Sequence, residues 1–402
     1  MGRYTALDDP IVDRTIESHL ETIVKAVLAR MAPQAIILRG SFGRGEGSVM
    51  NDAGKLRFLS DYEIDVATYT PRYRPLFAEL SQKLTAEFGV QTGLRWVRPD
   101  YIDRDRIGPI PLGTAPITIS LYEIRNGSRT LYGQDFIQSS RAIDPDQIHV
   151  ESGLILVLNR MAESLLLITT EGNPAWDEID HYYWINKTIL SCAESLLLVW
   201  KQFHFSYAER GRRFSSLAST HLDFMQDQAA GLSELVARAT EFKLRPRQGL
   251  YKDSVRDEWS NLIPICDTVF RYLAHQILGI RFNSYTEYPE RYLQGGNKDS
   301  KDSAIMLTVL SKSLELYKYL RSRSIPRGLL SSYPKTRIIY ALVPMLFVGR
   351  ECEPSAMPEM QSEVRRWLNL VCKVEPPDPD EKKGWESLQR QLFWAWKNFC
   401  VL

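Results

Sequence analysis

Net charge is the first thing this sequence lacks. Its 50 lysines and arginines stand against 49 aspartates and glutamates, a formal balance of +1 over 402 residues, so no global field draws the chain to DNA, RNA or an anionic membrane. Cysteine is scarce too. The five, Cys192, Cys266, Cys352, Cys372 and Cys400, are odd in number and far apart, with no C-x-x-C pair. That excludes a disulfide framework and a structural zinc site and leaves free thiols in a reducing cytosol as the expectation. The histidines, His19, His149, His181, His204, His221 and His275, show no H-E-x-x-H or comparable ligand spacing. Long hydrophobic runs are also missing. The most apolar segment, Gly153 to Thr170, is broken by Asn159, Arg160 and Glu163, and the opening MGRYTALDDP places acids where a signal peptide has its apolar stretch. Neither a membrane span nor an export signal is expected, and myristoylation is set aside because Ala6 stands where that motif needs serine or threonine. The expected location is the cytoplasm.

What remains is an ordinary globular composition, 44% hydrophobic and 25% charged, with 23 glycines and 21 prolines. Such a chain buries a real core and, at this length, divides into two or three domains. Asp9-Pro10 followed by Ile11, Ile16, Leu20, Ile23, Val24, Val27 and Leu28 predicts a capped amphipathic helix ending before Pro33. A short buried strand, Gln34 to Leu38, runs into the glycine-rich turn Arg39-Gly-Ser-Phe-Gly-Arg-Gly-Glu-Gly47. After a polar stretch the pattern predicts a strand over Leu59 to Thr68, a helix from Pro71 to Phe88 and a strand from Val90 to Val97. A polar loop from Pro99 to Ala115 and an alternating strand from Ile117 to Ile124 follow, the strand ending in the turn Arg125 to Ser128. This part reads as α+β. Farther on the hydrophobic period is helical, over Val150 to Thr170, Trp176 to His204, Gly231 to Phe242, Asp257 to Leu278, Ser303 to Arg321, Thr336 to Val348, Glu359 to Val371 and Glu381 to Phe399. The expected organisation is an α+β domain over residues 1–140 and an all-α domain over 141–402, the latter divided into two lobes near 283–303, where the chain turns polar.

The chemistry concentrates in two short stretches. Gly40-Ser41 follows one strand, and Ser60-Asp61-Tyr62-Glu63-Ile64-Asp65 lies on another. Alternate strand residues share a face, so Asp61, Glu63 and Asp65 project together while Tyr62 and Ile64 project to the other side. Like charges so close repel one another, and a divalent cation relieves the repulsion. Magnesium carrying a nucleoside triphosphate fits that need, with manganese as a substitute. Gly40 lets backbone amides approach phosphate oxygens, the Ser41 hydroxyl adds a hydrogen bond, and Arg44 adds positive charge. Two competing readings fail. Gly43-x-Gly45-x-Gly47 with Asp61 looks like a dinucleotide-binding turn, but Ser48 to Phe58 lacks the apolar helical period of a βαβ unit, and a ribose contact needs one acid rather than an alternating set. A P-loop needs Gly-Lys-Ser/Thr to close the turn, and none is present.

The order strand, Gly-Ser, polar spacer, then Ser-Asp-x-Glu on a strand resembles the nucleotidyltransferase superfamily that includes DNA polymerase β, the CCA-adding enzymes and the aminoglycoside nucleotidyltransferases. Asp61-x-Glu63, where many members carry Asp-x-Asp, is similar to kanamycin nucleotidyltransferase. The resemblance covers residues 20–135, and the remainder is similar only in general character to the helical bundles appended to this core. It implies a mixed sheet with helices and a two-metal magnesium site. The reaction it implies is transfer of a nucleoside monophosphate from an NTP to an acceptor hydroxyl with release of pyrophosphate. It also implies a third carboxylate on a later strand, for which Glu123 is the match, acting as metal ligand and as a general base whose pKa its acidic neighbours raise. Asp65 is the alternative to Glu63 should the register shift by two.

Related enzymes place a lysine of the helical domain on the triphosphate, and Lys187, in His181-Tyr-Tyr-Trp-Ile-Asn-Lys187, is the candidate. Tyr207-Ala-Glu-Arg-Gly-Arg-Arg213 and Lys243-Leu-Arg-Pro-Arg247 are local basic clusters whose commoner reading is a solvated loop. The neutral balance favours a small-molecule acceptor, such as an antibiotic or a metabolite. Transfer to a protein or an RNA end stands as one alternative. A catalytically degenerate nucleotide-binding or partner-binding module stands as the other. The amphipathic helices suit closure on an acceptor and homodimer formation equally.

Overall fold

The computed structural model of the chain describes residues 2–52, 54–70, 73–102, 117–167, 177–294, 335–349, 356–376, 378 and 380–400. Its contacts group into two compact units. The first takes Met1–Ser152 together with Trp200–Leu222 and Ala229–Lys252, and the second takes Gly153–Val199, Asp223–Gln228 and Asp253–Leu402.

The first unit opens as its sequence dictates. The Asp9 side chain accepts from the Ile11 and Val12 amides, Pro10 pre-sets the first turn, and helix α1 (Pro10–Leu28) buries Val12, Ile16, Leu20, Ile23 and Val27. Strand β1 (Ala35–Arg39) passes directly into the five-residue helix α2 (Gly40–Arg44). The spacer that reads as merely polar folds as a hairpin, β2 (Val49–Asp52) and β3 (Lys55–Phe58), in which Gly54 takes φ +90° and donates its amide to the Asn51 side chain. Then come β4 (Tyr62–Ala67), α3 (Arg74–Phe88), β5 (Thr92–Val97), α4 (Pro99–Ile102), α5 (Ile119–Gly127), β6 (Arg129–Gly133) and α6 (Phe136–Ser139).

The main sheet is mixed, in the order β5-β4-β1-β6. Strand β1 runs antiparallel to both of its neighbours, and β4 runs parallel to β5. The pleat sorts its residues. Ile36, Leu38, Tyr62, Ile64 and Val66 enter one core with α1 and α3, whereas Ala35, Ile37 and Ala67 enter a second with Val97, Ile102, Ile124 and Phe136. Glu63 and Asp65, alternating with the first set, therefore belong to the second face.

Residues 117–124 differ from expectation. The alternation of Ile117, Ile119 and Leu121 reads as a strand, yet Thr118 caps a helix by accepting from the Leu121 amide, and Leu121, Ile124 and Arg125 fall on one buried helical face. A turn-forming cap outweighs the β-branched run, so Glu123 sits on α5 and not on a strand. Asp61 immediately precedes β4 rather than lying within it. Helix α9 (Tyr207–His221) and most of α10 (Gln228–Leu244) also belong to this first unit.

The second unit is helical among its described residues. It comprises most of α7 (Glu151–Ser164) with α8 (Glu178–Val199), α11 (Val255–Leu278), α12 (Tyr288–Gln294), α13 (Lys335–Val348), α14 (Met357–Leu368) and α15 (Glu381–Phe399). Helices α8 and α11 pack together, with the Sγ atoms of Cys192 and Cys266 3.7 Å apart. Both are free thiols, as is Cys400. Ala341 to Phe347 of α13 are buried throughout, against α12, α14 and α15. The helix expected over Ser303 to Arg321, and residues 295–303 of the expected lobe boundary, lie outside the described residues. No described helix is long and apolar enough to cross a membrane.

Candidate functional site

The site of interest begins where β1 becomes α2. Gly40 has φ +67°, a left-handed conformation that side chains resist, and a Cβ built there would stand 2.9 Å from the Cδ of Glu63. The left-handed backbone is what calls for glycine, and the Glu63 carboxylate lies close against it. Gly47 meets a steric demand at the far end of the turn, since a Cβ there would lie 2.2 Å from the Phe42 ring. Antiparallel pairing sets Arg39 directly opposite Glu63. The turn and the carboxylate strand, separate in sequence, thus meet at Gly40, with Ser41 the next residue along.

Two charge networks surround this meeting point. In the first, the Arg39 guanidinium lies between two carboxylates, its Nη2 3.1 Å from Glu63 Oε2 and its Nε 3.3 Å from Asp65 Oδ1. Asp65 is fully buried and already receives a two-pronged grip from Arg95, with Nε and Nη2 each at 2.9 Å. Glu63 remains 33% exposed at its side chain, and Asp61 is exposed.

The second network centres on Glu123. Its carboxylate takes Arg44 Nη1 at 3.1 Å and an ion pair from Arg210 Nη2. Arg210 donates further to the Phe205 carbonyl at 3.1 Å, and its guanidinium sits 4.3 Å from the Phe203 ring centroid and 4.8 Å from that of Tyr207. Burial alone would push the Glu123 carboxyl up, but the charges of Arg44 and Arg210, with the hydrogen bond from Arg210, outweigh it and hold the carboxyl below its ordinary value.

Two buried polar knots brace the turn from behind. Glu46, 2% exposed, accepts from the Ser206 hydroxyl at 2.7 Å and from the Tyr207 and Ala208 amides at 2.8 and 3.1 Å, which places an anion at the start of α9. Lys243 donates Nζ to the Ser60 hydroxyl at 3.1 Å, and its own carbonyl accepts from the Ser48 hydroxyl at 2.6 Å. Ser60 Oγ accepts as well from the Ser48 amide at 2.9 Å.

Gly40 and Glu63, with Ser41 adjoining, are brought together. Arg44 is inward and engaged, its side chain 3% exposed and paired with Glu123. Asp65 is held by the Arg95 fork, with Arg39 Nε 3.3 Å away and not hydrogen-bonded. Lys187 lies in the second unit, with Nζ 4.5 Å from the Trp184 ring centroid and 5.1 Å from that of Tyr183. Glu123 departs from expectation in two respects. Its pKa is lowered rather than raised, because its neighbours are arginines and not acids. It also forms no cluster with Asp61 and Glu63, and among the described residues no group of three or more His, Cys, Asp or Glu side chains could hold a metal ion.

The donor set left for magnesium is Asp61 with Glu63. Both are hard oxygen donors of the kind magnesium takes, Asp61 exposed and Glu63 33% exposed and ion-paired with Arg39.

The basic clusters divide, with Arg212, Arg245 and Arg247 exposed as the solvated reading expects and the others engaged. Arg210 and Lys243 are buried ties within the first unit, and Arg212 and Arg213 are both hydrogen-bonded to Glu209, whose carboxyl they hold down at about 2. Arg39, Glu46 and Ser60 lie within the two motifs, but no local pattern gives them a role. The antiparallel register that gives Arg39 its partner was the missing information. Comparison with known protein families, with curated proteins and with solved structures finds no match to this chain.

Proposed function

We propose that this protein binds a nucleoside triphosphate with magnesium at the Gly40-Ser41 turn and the Asp61-x-Glu63 carboxylates. It transfers the nucleoside monophosphate to a hydroxyl of a small-molecule acceptor and releases pyrophosphate. The reading rests on the close approach of the Glu63 carboxylate to Gly40. A phosphate-cradling turn and a metal-binding carboxylate must adjoin if one ion is to carry the triphosphate, and the Glu63 carboxylate lies against Gly40, at the start of that turn. The mixed sheet and the neutral charge balance agree with the same reading.

In that role Ser41 donates its hydroxyl to a phosphate oxygen, and Asp61 and Glu63 hold the cation. Magnesium, when bound, neutralises the phosphates and the charge that develops on the leaving pyrophosphate. Glu123 is not a base in this scheme. An ionised carboxylate fastened to two guanidinium groups, with a depressed pKa, is a poor proton acceptor, and its part is to keep Arg44 and Arg210 in place.

Thermal unfolding with each of the four NTPs, with and without magnesium, tests the binding step. A ligand at a hundred times its dissociation constant stabilises the native state by about 2.7 kcal/mol, a shift of a few degrees. The expected result is a magnesium-dependent shift with one NTP that is lost in Asp61→Asn and Glu63→Gln. No shift with any NTP, at any magnesium concentration, would remove the reading. A second reading, the degenerate nucleotide-binding module, is favoured by the engagement of Glu123, which leaves two carboxylates without a third among the described residues. It predicts the same shift, but no pyrophosphate release across a panel of hydroxyl acceptors.

A further inference from the structure

Arg39 has an incomplete task in this network. Asp65 is satisfied by the Arg95 fork alone, and Arg39 Nε, a buried atom 3.3 Å from Asp65 Oδ1, makes no hydrogen bond there. What Arg39 does contribute is a positive charge 3.1 Å from the Glu63 carboxylate, the group that closes over Gly40. With its side chain 22% exposed, the guanidinium is not sealed in as those of Arg44 and Arg210 are.

The geometry points to Arg39 as a place-holder that couples metal binding to phosphate binding. The inference rests on the proposed nucleotide site and adds the residue that orders its filling. While no nucleotide is present, Arg39 neutralises Glu63 and competes with a divalent cation for it. When a cation arrives with a polyphosphate, the cation takes Glu63, and the released guanidinium finds phosphate oxygens beside Gly40 and Ser41. A planar guanidinium suits either partner, since its fork matches carboxylate and phosphate alike. The two ligands then help each other, because each removes the contact that opposes the other, and the coupling is reciprocal. Cation alone binds weakly, and polyphosphate alone meets a guanidinium already engaged.

The test uses the full chain, Mn²⁺ as the cation and inorganic tripolyphosphate as a phosphate chain without a base. Loss of the free Mn²⁺ electron paramagnetic resonance signal gives cation affinity, and thermal unfolding with Mn²⁺ plus tripolyphosphate gives the joint effect. Arg39→Gln is expected to bind Mn²⁺ alone about fivefold more tightly than wild type, and to lose most of the extra thermal shift that tripolyphosphate adds to Mn²⁺ in wild type. Arg39→Lys, which keeps the charge but not the fork, is expected to change both quantities in the same direction and by less. Mn²⁺ binding that is abolished by Glu63→Gln but equal in wild type and both Arg39 variants would overturn the place-holder while leaving the site. A retained tripolyphosphate shift in Arg39→Gln would overturn it as well, since removal of a local positive charge tightens Mn²⁺ without erasing coupling. Absence of Mn²⁺ binding in every variant would overturn the site and, with it, the role of Arg39.

Discussion

Removing the charge of Glu123 would leave Arg44 and Arg210, each with a side chain only 3% exposed, facing one another without their shared counter-ion. Deleting one partner of a buried ion pair costs about 3–5 kcal/mol. For Glu123→Gln the lower end, about 3 kcal/mol, is expected at neutral pH, because glutamine keeps an acceptor oxygen and the site is not wholly dry. The pH dependence has a definite sign. The folded state holds this carboxyl below its ordinary value, so its contribution is present in full above the ordinary carboxylate range and is lost as pH falls through the depressed folded value. Urea unfolding of wild type and variant should therefore differ most near neutrality, with the gap closing as the solution is acidified below the ordinary carboxylate range. A gap that stays constant into acid would show that the negative charge is not what holds the two arginines.

Helix α9 depends on a carboxylate from a distant part of the chain. Its first amides meet Glu46, and Ser206 adds its own hydroxyl to the Glu209 amide, so two different side chains supply the cap. Glu46→Gln keeps one acceptor oxygen and loses the charge that suits a helix N-terminus. It is expected to destabilise the chain by about 1–2 kcal/mol and to speed hydrogen exchange at the Tyr207 and Ala208 amides before any other part of α9. Uniform protection along α9 in the variant would count against this capping role. Elements are also the scale at which the sequence proved most and least readable. The Asp9 cap with its apolar stripe, the strand pair β1 and β4 and helices such as α11 and α15 follow from local period and caps. Helix α5 did not, because Ile117, Ile119 and Leu121 alternate as a strand would, while the Thr118 hydroxyl caps a helix there. For the site, the two motifs were legible and the family resemblance implied that they act together, but the pairing that sets Arg39 and Gly40 beside Glu63 was not. Nor were the pairings of Glu46 and Glu123, since strand register and the packing of α9 are long-range facts that no local pattern encodes.

At the scale of the whole chain, the first unit is assembled from three stretches, and the later two supply partners to buried polar groups of the first. A fragment of residues 1–152 retains the entire β5-β4-β1-β6 sheet, yet it lacks Ser206, Tyr207 and Ala208 for Glu46, Arg210 for Glu123, and Lys243 for Ser48 and Ser60. Each buried polar group left without its partner costs about 1–3 kcal/mol, more where it is charged. Three such losses together are comparable with the whole net stability of a typical domain, about 5–15 kcal/mol. The expectation is that residues 1–152 expressed alone show helical far-ultraviolet circular dichroism but weak near-ultraviolet signal and no cooperative urea transition. Adding a separate peptide of residues 200–252 should restore part of both, because it returns all three sets of partners at once. A cooperative transition in the isolated fragment, at the same urea midpoint as in the full chain, would mean that these ties contribute little. The sheet, α1 and α3 would then suffice to hold the Gly40 turn and the Asp61-x-Glu63 strand in place, and the proposed magnesium and nucleotide binding should persist in the fragment.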